Sequence, residues 1–338
     1  MTNNLIIASK YLIIAVFSLF FVLVAIPSPL ISFAVSPQVH TSIKVGDSPQ
    51  FVVFDTANQI VYVANSGTTA PNGGTVSIIN GAHLITTIGR PAFRSNAVLT
   101  GLAYDPINKM IYVSDLSNHA VYVISGTKVV SIIQDPKLKC PGEIGFDPAN
   151  SFIIVSNNCE LANTNTVSVI SGIHVLRQVQ MSSARISTPL GIAFAGNNIF
   201  VANLQQNNVS VIDGITFKMI KSISVGSEPS GLALDPTNSR IYVTNFGSND
   251  VTVINAKTLK VLSTILVGSH PEGIAFSPTS GQIYVTNSGS NTVSIINNLS
   301  VFSTAKAGTA PSGLAFSSKN NMMYVADSTN PGFVTLIS

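Results

Sequence analysis

The sequence predicts an all-β fold, a seven-bladed β-propeller built from four-stranded antiparallel blades. Three observations predict it. A tetrad of the form Tyr-Val-Thr-Asn recurs seven times, at Tyr62–Asn65, Tyr112–Asp115, Ile154–Asn157, Phe200–Asn203, Tyr242–Asn245, Tyr284–Asn287 and Tyr324–Asp327. Successive copies start 50, 42, 46, 42, 42 and 40 residues apart, the period of stacked four-stranded units that bury their faces against one another. Each repeat alternates short β-branched runs with Gly, Pro, Asn and Asp clusters, the punctuation of strands and tight turns.

The N-terminal segment stands apart from this pattern. Residues 1–34 carry a lone Lys10, an apolar run from Tyr11 to Ile26, two prolines and the small-x-small triplet Ser32-Phe33-Ala34. This reads as a secretory signal cleaved after Ala34. The alternative is an uncleaved anchor through residues 5–26, since the apolar stretch approaches the ~20 residues that span a bilayer. Either reading puts the propeller, residues 35–338, outside the cytoplasm.

The next segment, Val39-His-Thr-Ser-Ile-Lys-Val45, has the character of a fourth, outermost strand: it ends in Val45-Gly46, as such strands end in Val225-Gly226 and Val267-Gly268. The seventh repeat supplies only three strands, over Gly313 to Phe316, Met322 to Ala326 and Phe333 to Ile337. Pairing of residues 39–45 with Phe333 to Ile337 is therefore expected to close the ring and remove a free sheet edge.

The fifth repeat shows the blade plan. Strand a covers Gly231 to Asp235, strand b Arg240 to Thr244, strand c Asp250 to Ile254 and strand d Leu259 to Leu266. Asp235-Pro236 starts a tight a to b turn, as do Asp105-Pro106 and Asp147-Pro148. Strand a is expected innermost, where only compact side chains fit. The residues in the Ala233 register are Val53, Ala103, Gly145, Ala193, Ala233, Ala275 and Ala315. Strand d, such as Lys218-Met-Ile-Lys-Ser-Ile-Ser224, is expected to turn polar residues to water. The tetrad's Asn or Asp is expected to bond the backbone of the b to c turn.

The tetrad, with Pro229-Ser-Gly-Leu-Ala-Leu-Asp-Pro236 before it and runs such as Thr166-Val-Ser-Val-Ile170 after it, resembles the YVTN repeat. That family comprises extracytoplasmic β-propellers of archaeal surface proteins and bacterial periplasmic proteins, and the resemblance spans residues 39–338. It implies the fold and the compartment. It does not imply a chemistry, because propellers host lyases, redox enzymes, adhesins and scaffolds alike.

Composition narrows the function. Hydrophobic residues make up 46% and charged residues 9%, so the chain has ample apolar surface to bury and is not disordered. The formal charge of +3 contains no basic run, which argues against nucleic acid as a partner. There is no GxSxG elbow, HExxH, P-loop, EF-hand loop or CxxCH sequence, and the chain has no tryptophan, unlike WD40 and quinoprotein blades.

Repeat proteins show their function where one repeat departs from the others. Insertions gather in the d to a and b to c connections, which share one face: Asn65 to Gly74, Gly89 to Leu99 with Arg90, Phe93 and Arg94, the segment holding Glu160, and the entry to blade 4 with Arg185. Cys140 and Cys159 flank strands a and b of blade 3 and are expected to form a disulfide. The repeat glycine at Gly101, Gly191, Gly231, Gly273 and Gly313 is replaced by Glu143 in blade 3, and Glu228, His270 and Glu272 lie just upstream of that position in blades 5 and 6. One imidazole and several carboxylates at one mouth suit a divalent cation or a carboxylate-poised base, or simply face solvent. Propeller lyases that inactivate cyclic antibiotics use such a mouth with magnesium, an analogy of fold only. His40, His119 and His174 stand alone in the sequence and read as surface or packing residues, and the sequons at Asn208 and Asn298 are weak glycan signals.

The leading expectation is an exported, monomeric, non-enzymatic binding module without a resident cofactor, whose inserted loops and mouth take a protein, glycan or small ligand. The alternative is a cation-dependent lyase or hydrolase, with His270 and Glu272 as catalytic candidates and Glu143 and Glu228 beside them. The third is a structural surface-layer component.

Overall fold

The computed structural model describes residues 37–67, 73–158, 165–181 and 188–338. They form seven four-stranded antiparallel sheets. Six take their four strands consecutively, with strand a at Pro49–Asp55, Leu99–Asp105, Pro141–Asp147, Pro189–Ala195, Pro229–Asp235 and Pro271–Ser277. The seventh runs Pro311–Ser317, Met322–Asp327, Phe333–Ile337 and then Val39–Lys44 from the other end of the chain. The expected closure is present: Ser42 pairs with Thr335, Ile43 with Val334 and Lys44 with Phe333. A strand that would expose unpaired N–H and C=O groups is thereby paired.

The hydrophobic core lies between blades rather than within them. Each of seven buried clusters joins two neighbouring sheets; one packs Ile43, Tyr324 and Val334 of blade 7 against Phe54, Val61 and Val63 of blade 1. The Ala233 register explains how the sheets come close. Ala103, Ala193, Ala233, Ala275 and Ala315 pair directly with Tyr112, Phe200, Tyr242, Tyr284 and Tyr324, so a small residue stands opposite each large one. At Gly145 even a Cβ would lie 2.8 Å from the Phe194 ring of the next blade.

The tetrad's first and third residues stitch neighbouring blades. Tyrosine hydroxyls donate to c to d turn carbonyls of the following blade: Tyr62 to Gly126 at 2.9 Å, Tyr112 to Gly172 at 3.0 Å, and Tyr242 to Asn298 at 2.6 Å. The Ser114, Thr244 and Thr286 hydroxyls donate to the carbonyls of Gly142, Glu272 and Ser312 in the next strand a.

The fourth residue meets the expectation of turn capping in blade 2, where Asp115 Oδ1 accepts the N–H of Asn118 at 3.2 Å, and corrects it where the residue is asparagine. Asn245 Nδ2 donates to Asp250 Oδ1 at 2.6 Å and Thr252 Oγ1 at 2.9 Å, and Asn287 bonds Thr292 and Ser294 alike. These partners are side chains of strand c, because the amide is fully buried between strands b and c and is covered by the glycine that follows strand d. A Cβ on Gly226 would lie 2.7 Å from Asn245 Cγ, which accounts for the recurrent Val-Gly ending.

The a to b turns form as expected, Asp55, Asp105 and Asp235 each accepting the N–H groups two and three residues on. Strand d turns polar residues such as Lys221, Ser222 and Ser224 to water as expected, but apolar ones as well. It exposes Ile85, Val130, Leu176, Ile220, Leu262 and Phe302, because an outermost strand has a neighbour on one edge only and its blade faces are only partly covered. Among the described residues no helix is long and apolar enough to cross a membrane. Residues 1–34, where a signal or anchor is expected, lie outside the described residues.

Candidate functional site at the channel mouth

Every strand a starts on the same face, where strand b ends; Pro229 pairs with Asn245 and Pro271 with Asn287. The starts surround a cavity of about 350 Å³ on the axis. Its polar lining is Gln50, Thr100, Glu143, Asn158, Ser230 and Glu272, and its apolar lining includes Val52, Leu102, Leu232, Ile274 and Leu314. Among the described residues no Lys, Arg or His lines it.

Several of these polar groups are committed to the fold. Thr100 Oγ1 donates to the Pro141 carbonyl at 2.8 Å, Ser230 Oγ lies 2.9 Å from Thr244 Oγ1, and Gln50 Nε2 donates to Ser328 Oγ at 2.7 Å. The carboxyls are less well partnered. Burial pushes Glu143 up to about 7, against a backbone N–H from Ile192 that favours its ionised form. Burial alone pushes Glu272 up to about 7. Among the described residues no cation stands on the wall to offset this desolvation, so both carboxyls lie well above the ordinary carboxylate range.

The expected constellation of four does not form. Glu143 and Glu272 line the cavity, but Glu228 and His270 do not. The reason is local: both occupy the position just before the strand-a proline, with φ of 54° and 51°, and this left-handed turn directs them onto the rim. The exposed His270 ring stacks on Phe246, centroids 4.6 Å apart and planes 11° apart. Among the described residues no three His, Cys, Asp or Glu side chains stand close enough to hold a metal ion.

The loop into blade 2 is a packed element. Phe93 is buried edge-on against Tyr122 at 4.8 Å, and the exposed Arg94 reaches Gln134 Oε1 at 3.0 Å, while Arg90 is exposed. Glu160, Arg185 and Cys159 lie outside the described residues. The Cys140 carbonyl accepts the N–H of Asn158 at 2.9 Å, and its own N–H goes to His119 Nδ1 at 2.8 Å.

Sequence reasoning missed Gln50, Thr100 and Ser230 because attention fell on the repeat glycine. The position before it was the informative one: it reads Gln50, Thr100, Gly142, Leu190, Ser230, Glu272 and Ser312, varying where its neighbours repeat.

The class of protein defined by this fold and site is a closed seven-bladed propeller with an acidic pocket on its axis. The chain belongs to the YNCE-like beta-propeller family, whose model matches residues 160–336, just over half of its length. Among solved structures it is similar to virginiamycin B lyase from Staphylococcus aureus, with 13% identity, 90% of this chain and 99% of that chain covered, and a TM-score of 0.75. It is also similar to the hydrazine synthase of Kuenenia stuttgartiensis, with 16% identity, 88% and 97% covered, and a TM-score of 0.71. The WD40 beta propeller domain of Doa1 shares 16% identity over 90% of this chain and 97% of that one, with a TM-score of 0.69. Identities this low carry the fold and nothing of the chemistry. No curated protein matches the chain.

Proposed function

We propose that this propeller is an extracytoplasmic, non-enzymatic binding module whose ligand site is the mouth of its axial channel. The observation that carries the reading is the cavity of about 350 Å³, with an apolar lining and a few polar groups of which two carboxyls lack a charged partner among the described residues. A concave, largely apolar pocket with a few convergent polar groups is the common form of a small-ligand site. The lyase or hydrolase alternative asks Glu143, Glu228, His270 and Glu272 to converge, whereas Glu143 and Glu272 line the cavity and Glu228 and His270 do not. The test is heat-release mass spectrometry on protein purified from its native host, beside a Thr100→Trp variant that fills the cavity. The expected result is a small molecule retained by the parent and missing from the variant. Identical extracts from the two overturn the reading.

The extracytoplasmic part rests on the apolar run of residues 11–26 and the triplet Ser32-Phe33-Ala34. A mature protein beginning at Val35, or an intact chain found in the membrane fraction, supports it; an intact chain in the cytosol does not. In such a compartment a Cys140–Cys159 disulfide is favoured, and the Asn158 to Cys140 backbone bond brings the neighbouring residues together. Unreduced protein is expected to resist alkylation at both cysteines, and modification of either overturns the pairing.

A further inference from the structure

We propose that the ligand of the channel mouth is a small organic dication, an alkyl diamine or its guanidino counterpart, with one cationic end at Glu143 and the other at Glu272. This rests on the mouth being a binding site, and it names the ligand class.

Placement supports the two-ended geometry. Glu143 belongs to blade 3 and Glu272 to blade 6, three steps apart in a ring of seven, the greatest separation the ring allows. Both line one cavity, whose apolar residues Leu232, Ile274 and Leu314 offer a surface to a hydrocarbon stem. Among the described residues the walls bring two carboxyls and no basic side chain, so electrostatic complementarity asks for positive charge with N–H donors.

The sequence position of Glu143 is a second, independent sign. In blades 2, 4, 5, 6 and 7 this place is glycine, and a Cβ there would collide with a backbone carbonyl of the next strand a. Blade 3 accommodates a full acidic side chain where those blades admit none. Glu272 has no hydrogen-bonding partner for its carboxyl among the described residues, and desolvation pushes that carboxyl up to about 7, so a cationic partner would be favoured there.

A single metal ion fits less well. It needs several oxygens meeting at one point, and among the described residues no three acidic, His or Cys side chains converge. An extended dication satisfies two separated carboxyls without convergence. Because burial holds both carboxyls near 7, and no Lys, Arg or His faces them from any strand around the cavity, binding at neutral pH ionises them and releases protons.

The experiment is isothermal titration calorimetry of the purified full chain with 1,3-diaminopropane, 1,6-diaminohexane, 1,6-hexanediol and adipate, at pH 6 and pH 8 and in buffers of different ionisation enthalpy. The expected result is saturable binding of a diamine alone, with proton release and affinity rising about tenfold per carboxyl between the two pH values. Glu272→Gln is expected to lose it, and the rim variant Glu228→Gln to keep it, both with unfolding midpoints near the parent's. Equal binding of the diol or adipate, or a diamine affinity indifferent to Glu272→Gln, overturns the dication. If no diamine binds while the heat-released molecule still requires an unfilled cavity, the ligand class fails and the binding reading stands. If that molecule is also missing, both fail.

Discussion

His119 Nδ1 accepts the backbone N–H of Cys140 at 2.8 Å, and so does for blade 3 what an asparagine does elsewhere in the ring. Asn207, Asn249 and Asn291 accept the N–H groups of Glu228, His270 and Ala310 through Oδ1, at 2.9, 2.8 and 2.9 Å. All four acceptors sit in the left-handed region, with φ between 49° and 58°, in the b to c turn of one blade, and each fixes the entry of the next. His119→Asn is therefore expected to leave stability unchanged. His119→Ala loses both the acceptor and a residue suited to positive φ, at about 1 kcal/mol. Urea unfolding at constant slope checks both, and equal midpoints for Ala and Asn would remove the bond's significance.

The closing tyrosine should behave like its equivalents, bond for bond. Tyr324 donates to the Gly81 carbonyl at 2.9 Å, across the junction of the chain's two ends. Tyr324→Phe keeps the ring in its buried slot and removes two hydrogen bonds, the one donated to Gly81 and the one accepted from Asn320 Nδ2 at 2.8 Å, with an expected loss of about 2 kcal/mol. Tyr112→Phe, which removes the single bond to Gly172, is expected to cost about half as much, about 1 kcal/mol. A much larger cost at position 324 would mean that the junction holds the ring more weakly than the other blade contacts do.

Removal of residues 39–44 is expected to lower the melting temperature sharply and to promote aggregation. The deletion takes Ile43 from the cluster joining blades 7 and 1 and leaves Phe333–Ile337 as an open edge. An unchanged melting temperature would show that this strand does not close the ring.

Asp327 stands where five of the seven tetrads carry asparagine. Burial pushes its carboxyl from 3.8 up to about 6, opposed by bonds from the Thr335 hydroxyl and the Gly308 N–H. A folded value above the unfolded one means that the protonated acid suits the fold. Stability is fully present below about pH 4 and is lost as pH rises through about 6, by up to about 3 kcal/mol. Asp327→Asn is expected to be more stable than the parent at pH 7 and to match it at pH 4. Parallel stability curves for the two proteins would sink this account.

Much of the architecture was legible because repetition averages out local ambiguity. The strand Phe333 to Ile337 and its partner from residue 39 were both readable, since a missing fourth strand and an orphan strand imply each other. The tetrad's Asn or Asp predicts a turn cap because both commonly bond nearby backbone, which Asp115 does and Asn245 does not. Its real partners, Asp250 and Thr252 for Asn245, are near in sequence but lie across a strand pair, and only the register brings them opposite. Likewise His270 and Glu272 are two residues apart, and an uninterrupted strand would put both on one face. The left-handed turn at His270 breaks that alternation, so one residue stacks on Phe246 and the other lines the cavity.

The sequence by itself determined the seven blades, their strand order, the closing pair and the compact residues of the inner register, because these follow from periodicity and side-chain size. Only the tertiary structure decided which polar residues share the axial cavity. That depends on residues from different blades, hundreds of positions apart, and on single φ angles that send neighbouring side chains to different surfaces.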